Sequence, residues 1–127
     1  MKKQAIRTSG APAPIGPYNQ AIMVNGTLYI SGQIGVDPET GEFAKGGVEA
    51  EAELVMRNLE AVLKEAGMDF SDVVKCSIFL QSMDDFGKVN EIYGRYFRNE
   101  APARETVEVA KLPKGGLVEI SAIAVKG

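Results

Sequence analysis

Residues 117–125 constrain the fold more than any other stretch. Val118, Ile120, Ala122 and Ala124 alternate with Leu117, Glu119, Ser121, Ile123 and Val125. That period describes a β-strand with one purely apolar face and one mixed face. Residues 73–80 repeat the pattern, with Val74, Cys76, Ile78 and Leu80 on the apolar side and Val73, Lys75, Ser77 and Phe79 on the mixed side. Val48, Ala52, Val55, Leu59, Val62, Leu63 and Ala66 recur at spacings of three and four, which predicts an amphipathic helix with Gly67 at its C-terminal cap. A second helix is predicted to start near Ser82, Asp84 or Asp85, with Phe86, Val89, Tyr93 and Tyr96 or Phe97 as its buried stripe. Residues 15–24 and 27–32 read as strands joined by Asn25-Gly26, where both turn positions accept positive φ. Residues 37–47 read as a loop and 103–109 as a strand.

The order of two strands, helix, strand, helix and two strands reads as α+β, with both helices on the apolar face of the sheet. Two helices cover only one side. The mixed face is too apolar to be left wet and too polar for an ordinary core, so it reads as a surface for self-association. The chain has 127 residues, which suits one domain, 1–127, with one core.

Composition narrows the chemistry by subtraction. There is no histidine and a single cysteine, Cys76, which excludes an internal disulfide and any Ser-His-Asp or Cys-His nucleophile. No zinc or haem site is expected, and no cofactor. What is left is carboxylates, arginine, lysine, hydroxyls, backbone groups and water. A net charge of −3 argues against a nucleic-acid partner. Lys2 and Lys3 precede no apolar run, so neither a signal peptide nor a membrane span is read, and the expected location is the cytoplasm.

Within that inventory Arg104 and Glu119 stand out. They lie on two strand-like segments linked through a Pro113–Gly115 turn, which predicts that the strands pair and bring both residues to one site. An arginine fork binds a carboxylate through two parallel hydrogen bonds, and a glutamate beside it holds or deprotonates a water. On spacing alone Arg104 also reads as a surface salt-bridge residue, and Glu119 as a charge partner for Arg104 or Lys75. Tyr18 reads equally as a half-buried strand aromatic, Ser31-Gly32 as a strand end and Asn90 as an exposed helix residue. Arg104 would push the Glu119 pKa down while burial would push it up.

Pro102-Ala103-Arg104, Leu112-Pro113-Lys114-Gly115 and Glu119-Ile120 resemble the C-terminal signature of the RidA/YjgF family of enamine/imine deaminases. The resemblance extends to Ile15-Gly16-Pro17-Tyr18-Asn19-Gln20-Ala21, Ile30-Ser31-Gly32-Gln33-Ile34 and Asp37-Pro38-Glu39-Thr40-Gly41. It continues through Asp72-Val73-Val74-Lys75, Asp85-Phe86 and Val89-Asn90-Glu91-Ile92-Tyr93, and leaves out only the N-terminal segment. It implies a chorismate-mutase-like fold: a mixed β-sheet with two helices on one face, three subunits closing their sheets into a barrel, and sites between them. It implies that Arg104 clamps a substrate carboxylate and Glu119 manages water. Tyr18 would lie over the pocket, Ser31-Gly32-Gln33 would line it, Asn90 would stand near the cleft, and the backbone of Thr106 would hold water or substrate.

The reaction implied is cofactor-independent hydrolysis of 2-aminoacrylate, 2-iminopropanoate and similar 2-imino acids to 2-keto acids and ammonia. That is the activity of a 2-iminobutanoate/2-iminopropanoate deaminase. The competing reading is a module that binds small carboxylates or keto acids without turnover. Four positions depart from the family pattern. Asn19 replaces a frequent serine, Thr106 a frequent cysteine, Glu105 a small residue and Ser121 a second glutamate. Glu105 is expected to point to the helix side, away from Arg104, and Cys76 to be inert core.

Overall fold

The computed structural model describes residues 2–126. Six strands and two α-helices follow one another as β1 (Gln4–Ile6), β2 (Ala21–Val24), β3 (Thr27–Ile34), α1 (Val48–Glu65), β4 (Val73–Leu80), α2 (Phe86–Gly94), β5 (Ala103–Glu108) and β6 (Val118–Val125). They form one mixed sheet in the order β1-β2-β3-β6-β4-β5, antiparallel throughout except for the β4–β5 pair. The α+β arrangement expected from the strand patterns is present.

Local chemistry accounts for the elements. Asn25 and Gly26 carry φ of 48° and 79° and connect the paired residues Val24 and Thr27, a tight turn that suits the twist of a hairpin. Helix α1 ends in a Schellman motif: the amides of Gly67 and Met68 donate to the carbonyls of Lys64 and Leu63, with Gly67 at φ 75°. Ser82 caps the 3-10 turn Met83–Asp85 that leads into α2 by accepting from the Asp84 amide at 3.2 Å. The apolar faces of β4 and β6 meet the inner sides of both helices in one core that includes Leu28, Val55, Leu59, Leu63, Ile78, Leu80, Val118 and Ile120.

The structure departs from expectation in several places. Strand β1 adds an edge from a segment that carries no clear strand signal. Residues 15–20 are irregular rather than extended, because Gln20 turns inward and gathers the chain before it (below). Strand β3 runs on to Ile34. Val74 is exposed and Val73 buried, because a register shift between Val73 and Lys75 rotates the start of β4 by one residue. Phe86 stays partly exposed while Ile92 joins Val89 and Tyr93 in the core.

The correction with most consequence concerns β5 and β6, which do not pair. Helix α2 carries β5 over to lie parallel to β4, and the chain then crosses the end of β4 to deliver β6 on its other side. The Val109 amide donates to the Leu80 carbonyl and the Gln81 amide to the Leu117 carbonyl, which marks that crossing. Every second residue of β6 is fully apolar, so the central place between β3 and β4 buries far more than the edge would. Strand β5, with Glu105 and Glu108, takes the edge, where charged residues are tolerated.

Candidate active site

The ladder separates the two residues expected to meet. Arg104 is level with Cys76, Cys76 with Ala122, and Glu119 lies three residues further along β6. Two strand spacings across and three residues along put the two Cα atoms about 14 Å apart. They also face opposite ways: Arg104 is level with the buried Cys76 on the helix side, whereas Glu119 is level with Phe79 on the open side. The candidate residues therefore fall into two groups.

The first group stands where β5 meets α2. Arg104 Nη1 donates to Asn90 Oδ1 at 2.7 Å. Its guanidinium carbon lies 5.0 Å from the centre of the Tyr93 ring and 5.6 Å from that of Phe86. Phe86, Asn90 and Tyr93 follow the i, i+4, i+7 spacing of one helix face, so α2 presents a shelf of two rings and an acceptor. No ion pair engages Arg104 among the described residues. Thr106, two residues on, shares that side and stands with Asn90, Phe86 and Arg104 around a gap too small for a water. Its hydroxyl is enclosed without a hydrogen-bond partner. The Tyr93 hydroxyl meets the Cys76 thiol and no nitrogen or oxygen. Burial pushes the pKa of both groups up, so they stay neutral at ordinary pH.

The second group lies on the other side, at the β3–β6 seam. The register of β3 slips between Ile30 and Gln33, and the Glu119 carboxylate lies directly on Gly32, filling the space a Cβ would need. Gly32 thus makes room for Glu119 itself. Burial alone pushes the Glu119 pKa up. Tyr18 is exposed and lines, with Ile15, Gly32, Ile34 and Lys114, a cavity of about 60 Å³. The Ser31 hydroxyl is occupied, donating to the Asn19 carbonyl at 2.6 Å and so tying the Tyr18 loop to β3.

Glu105 corrects another expectation. It does point away from Arg104, but onto the open face, where it pairs with Lys75 at 2.9 Å and accepts from Ser77. The expectation failed because it placed Arg104 on the mixed face. A hollow of about 560 Å³ between the loop after β3 and α1 is lined by Asp37, Phe43, Lys45, Glu53 and Arg57 among others and by none of the candidate residues. Among the described residues no three His, Cys, Asp or Glu side chains converge as a metal site would require.

Gln20 was read only as part of a motif. It is 3% exposed; its Oε1 accepts from the Thr8 amide at 2.7 Å, and its Nε2 donates to the carbonyls of Thr8, Ala11 and Pro12. It holds the loop that carries Tyr18. A glutamine next to an apolar strand start gave no sign of this in the sequence.

The family model described as Endoribonuclease L-PSP, which is that of the YjgF/RidA family, matches residues 8–126. The chain belongs to that family. Its relatives include the mouse 2-iminobutanoate/2-iminopropanoate deaminase, 53% identical over 98% of this chain and 93% of that protein. Among solved family structures, a putative endoribonuclease from Thermotoga maritima is 49% identical with a TM-score of 0.96, covering 100% of this chain and 99% of that one. E. coli TdcF, solved with bound serine, is 38% identical with a TM-score of 0.93, covering 98% and 99% of the two chains. The match spans both groups of residues, Tyr18 to Gly32 and Asn90 to Glu119.

Proposed function

We propose that this chain is a cofactor-independent hydrolase of reactive 2-imino acids, a 2-iminobutanoate/2-iminopropanoate deaminase. The observation that carries the reading is the Arg104 guanidinium, held by Asn90 and two aromatic rings yet free of any carboxylate among the described residues. A cation kept in place without an anion is suited to an anionic ligand. Relatives named for this deaminase reaction, about 50% identical over nearly the whole chain, support the assignment. The serine bound in TdcF is a small α-carboxylate of the size such a fork accepts.

Arg104 and Glu119 face opposite ways in one chain, so a complete site forms between two copies. The open face offers Tyr29, Val107 and Val125 as exposed apolar side chains. We assign it to a homotrimer whose sheets close into a barrel, with Arg104, Asn90 and Thr106 from one subunit meeting Tyr18, Ser31, Gly32 and Glu119 of the next. Each chain is a single domain acting in the cytoplasm; among the described residues no helix is long and apolar enough to cross a membrane.

In the reaction, 2-aminoacrylate first takes up a proton on C3 and gives one up from nitrogen to become 2-iminopropanoate. Arg104 grips the carboxylate and fixes the C=N carbon. Glu119 takes a proton from a water, and the oxygen adds to C2 to give a carbinolamine. Proton transfer to nitrogen and collapse of that adduct expel ammonia and leave the 2-keto acid. An imine is already electrophilic, so orientation supplies much of the rate and proton transfer on the order of 10²–10⁴-fold.

The test is an assay that generates the imine in place and follows its loss. Arg104→Ala is expected to remove catalysed hydrolysis while the oligomer elutes unchanged. Wild-type turnover in that variant refutes the mechanism. Keto-acid binding without turnover in the wild type would instead establish the binding module.

A further inference from the structure

Among the described residues, the side chains of Gln20, Gln33, Glu51 and Asn58 are polar and buried. Two of them sit on one face of α1, seven residues apart, and both reach the backbone around Glu119. The Glu51 carboxylate, on a residue 6% exposed, accepts from the Leu117 amide at 2.9 Å, two residues before Glu119. Asn58, 1% exposed, donates through Nδ2 to the carbonyls of Ile34 at 3.2 Å and Val36 at 3.1 Å. Ile34 is the ladder partner of Glu119 on β3. The opposite side of Leu117 is held as well, its carbonyl accepting from the Gln81 amide at 3.1 Å.

The contact between α1 and this backbone is as close as atoms allow. A Cβ on Gly35 would lie 2.7 Å from Glu51 Cα and 2.8 Å from its carbonyl oxygen, so the helix and the end of β3 touch backbone to backbone. Burying a carboxylate and an amide is costly unless each is hydrogen-bonded. Both meet that condition only by holding main-chain groups where β3 and β6 leave regular pairing. Those two strands meet at the slipped register that seats the Glu119 carboxylate on Gly32.

We infer that Glu51 and Asn58 are positioning residues for Glu119: α1 acts as a clamp that sets the entry of β6 and the exit of β3, and thereby the place of the carboxylate. This rests on the reading of Glu119 as the group that manages water. Arg104 is held by α2 and β5, where neither Glu51 nor Asn58 makes a hydrogen bond, so substrate gripping is left to other side chains.

The experiment compares Glu51→Ala, Glu51→Gln, Asn58→Ala and Glu119→Gln in the full-length oligomer, at a temperature where each is folded by circular dichroism. It measures kcat on 2-iminobutanoate generated in place and the Kd of 2-oxobutanoate. Glu51→Ala and Asn58→Ala are expected to lower kcat about 10–100-fold, the usual consequence of misplacing a catalytic group by an ångström, with Kd within threefold. Glu51→Gln keeps an acceptor for the Leu117 amide and is expected to recover most of kcat. Adding Glu51→Ala to Glu119→Gln is expected to cost nothing further.

The inference is overturned if Glu51→Ala keeps wild-type kcat while Glu119→Gln has lost it. It is overturned equally if kcat and Kd worsen together, or if Glu51→Gln is as poor as Glu51→Ala. Full kcat in Glu119→Gln would overturn the role of Glu119 itself. If Glu51→Ala does not fold, Asn58→Ala and the Glu51→Gln rescue decide the matter.

Discussion

Replacing Gly32 by alanine tests the site with a single methyl group. A Cβ at this position would lie 2.7 Å from Glu119 Cδ and 2.9 Å from Cγ, and nearer still to Oε2. Non-bonded carbons settle at about 3.5–4.0 Å, so the carboxylate must retreat by roughly 1 Å. The backbone does not resist, because Gly32 is not among the glycines with positive φ. What gives way is the far end of a flexible side chain, at an off-rotamer cost of about 0.5–1.5 kcal/mol. Alanine in a strand regains about 0.5–1 kcal/mol over glycine, so the two terms nearly cancel and Tm moves by only a few degrees.

Activity should not escape so lightly. A retreat of about 1 Å by a positioned group costs about 10²-fold, or roughly 2.7 kcal/mol of transition-state stabilisation. The assay is kcat/KM on 2-iminobutanoate formed in place, beside a melting curve. Gly32→Ala combined with Glu119→Gln should be no worse than Glu119→Gln alone, since both act through one carboxylate. A folded Gly32→Ala enzyme with kcat/KM within twofold of wild type would refute the link between the seat of Glu119 and catalysis.

Three further outcomes follow from the same geometry. Burial raises the Glu119 pKa from its ordinary value, and a base must be ionised to work, so kcat should fall as the pH drops through that raised pKa; Glu119→Gln should lose that acid limb in a pH–rate profile. Burial also raises the Glu51 pKa, with the Leu117 amide opposing it. The folded state then holds its proton more tightly than the unfolded chain. The ionised form therefore costs stability as pH rises through the folded-state pKa, and Glu51→Gln should melt a few degrees above wild type at pH 7, with the gap closing below the ordinary carboxylate value. Gln20→Ala strips partners from the Thr8 amide and the Ala11 and Pro12 carbonyls, at a cost of about 1–3 kcal/mol, and should speed amide exchange at Thr8 and raise KM through the Tyr18 loop.

The legible parts of the fold were those with strong local periodicity. Residues 118–125 and 73–80 show their apolar faces in sequence because alternation is a property of the strand alone. Helix α1 and its Gly67 cap were readable for the same reason. Val74 was misplaced because a one-residue slip in β4 leaves no mark in composition, yet reverses the face of what precedes it. The sequence named candidate residues but not their geometry. Arg104 and Glu119 are close in sequence, and the turn between them suggested a hairpin. The crossover through α2 overrode that suggestion, because pairing β5 with β4 leaves the central position to the strand that buries most.

Phe86, Asn90 and Tyr93 stood in view at helical spacing, yet only their proximity to Arg104 gives them a joint purpose. Glu51, Asn58 and Gln20 were silent, since a polar residue in a sequence does not announce whether it will be wet or buried. The sequence by itself determined the class of fold, the absence of histidine or disulfide chemistry, and which cation and carboxylate were available, because these depend on residue identity and short-range period. Only the tertiary structure decided that the two face opposite ways, that Gly32 seats the carboxylate and that α1 grips the strands around it. Those facts depend on which strands lie side by side, and long-range burial sets that order.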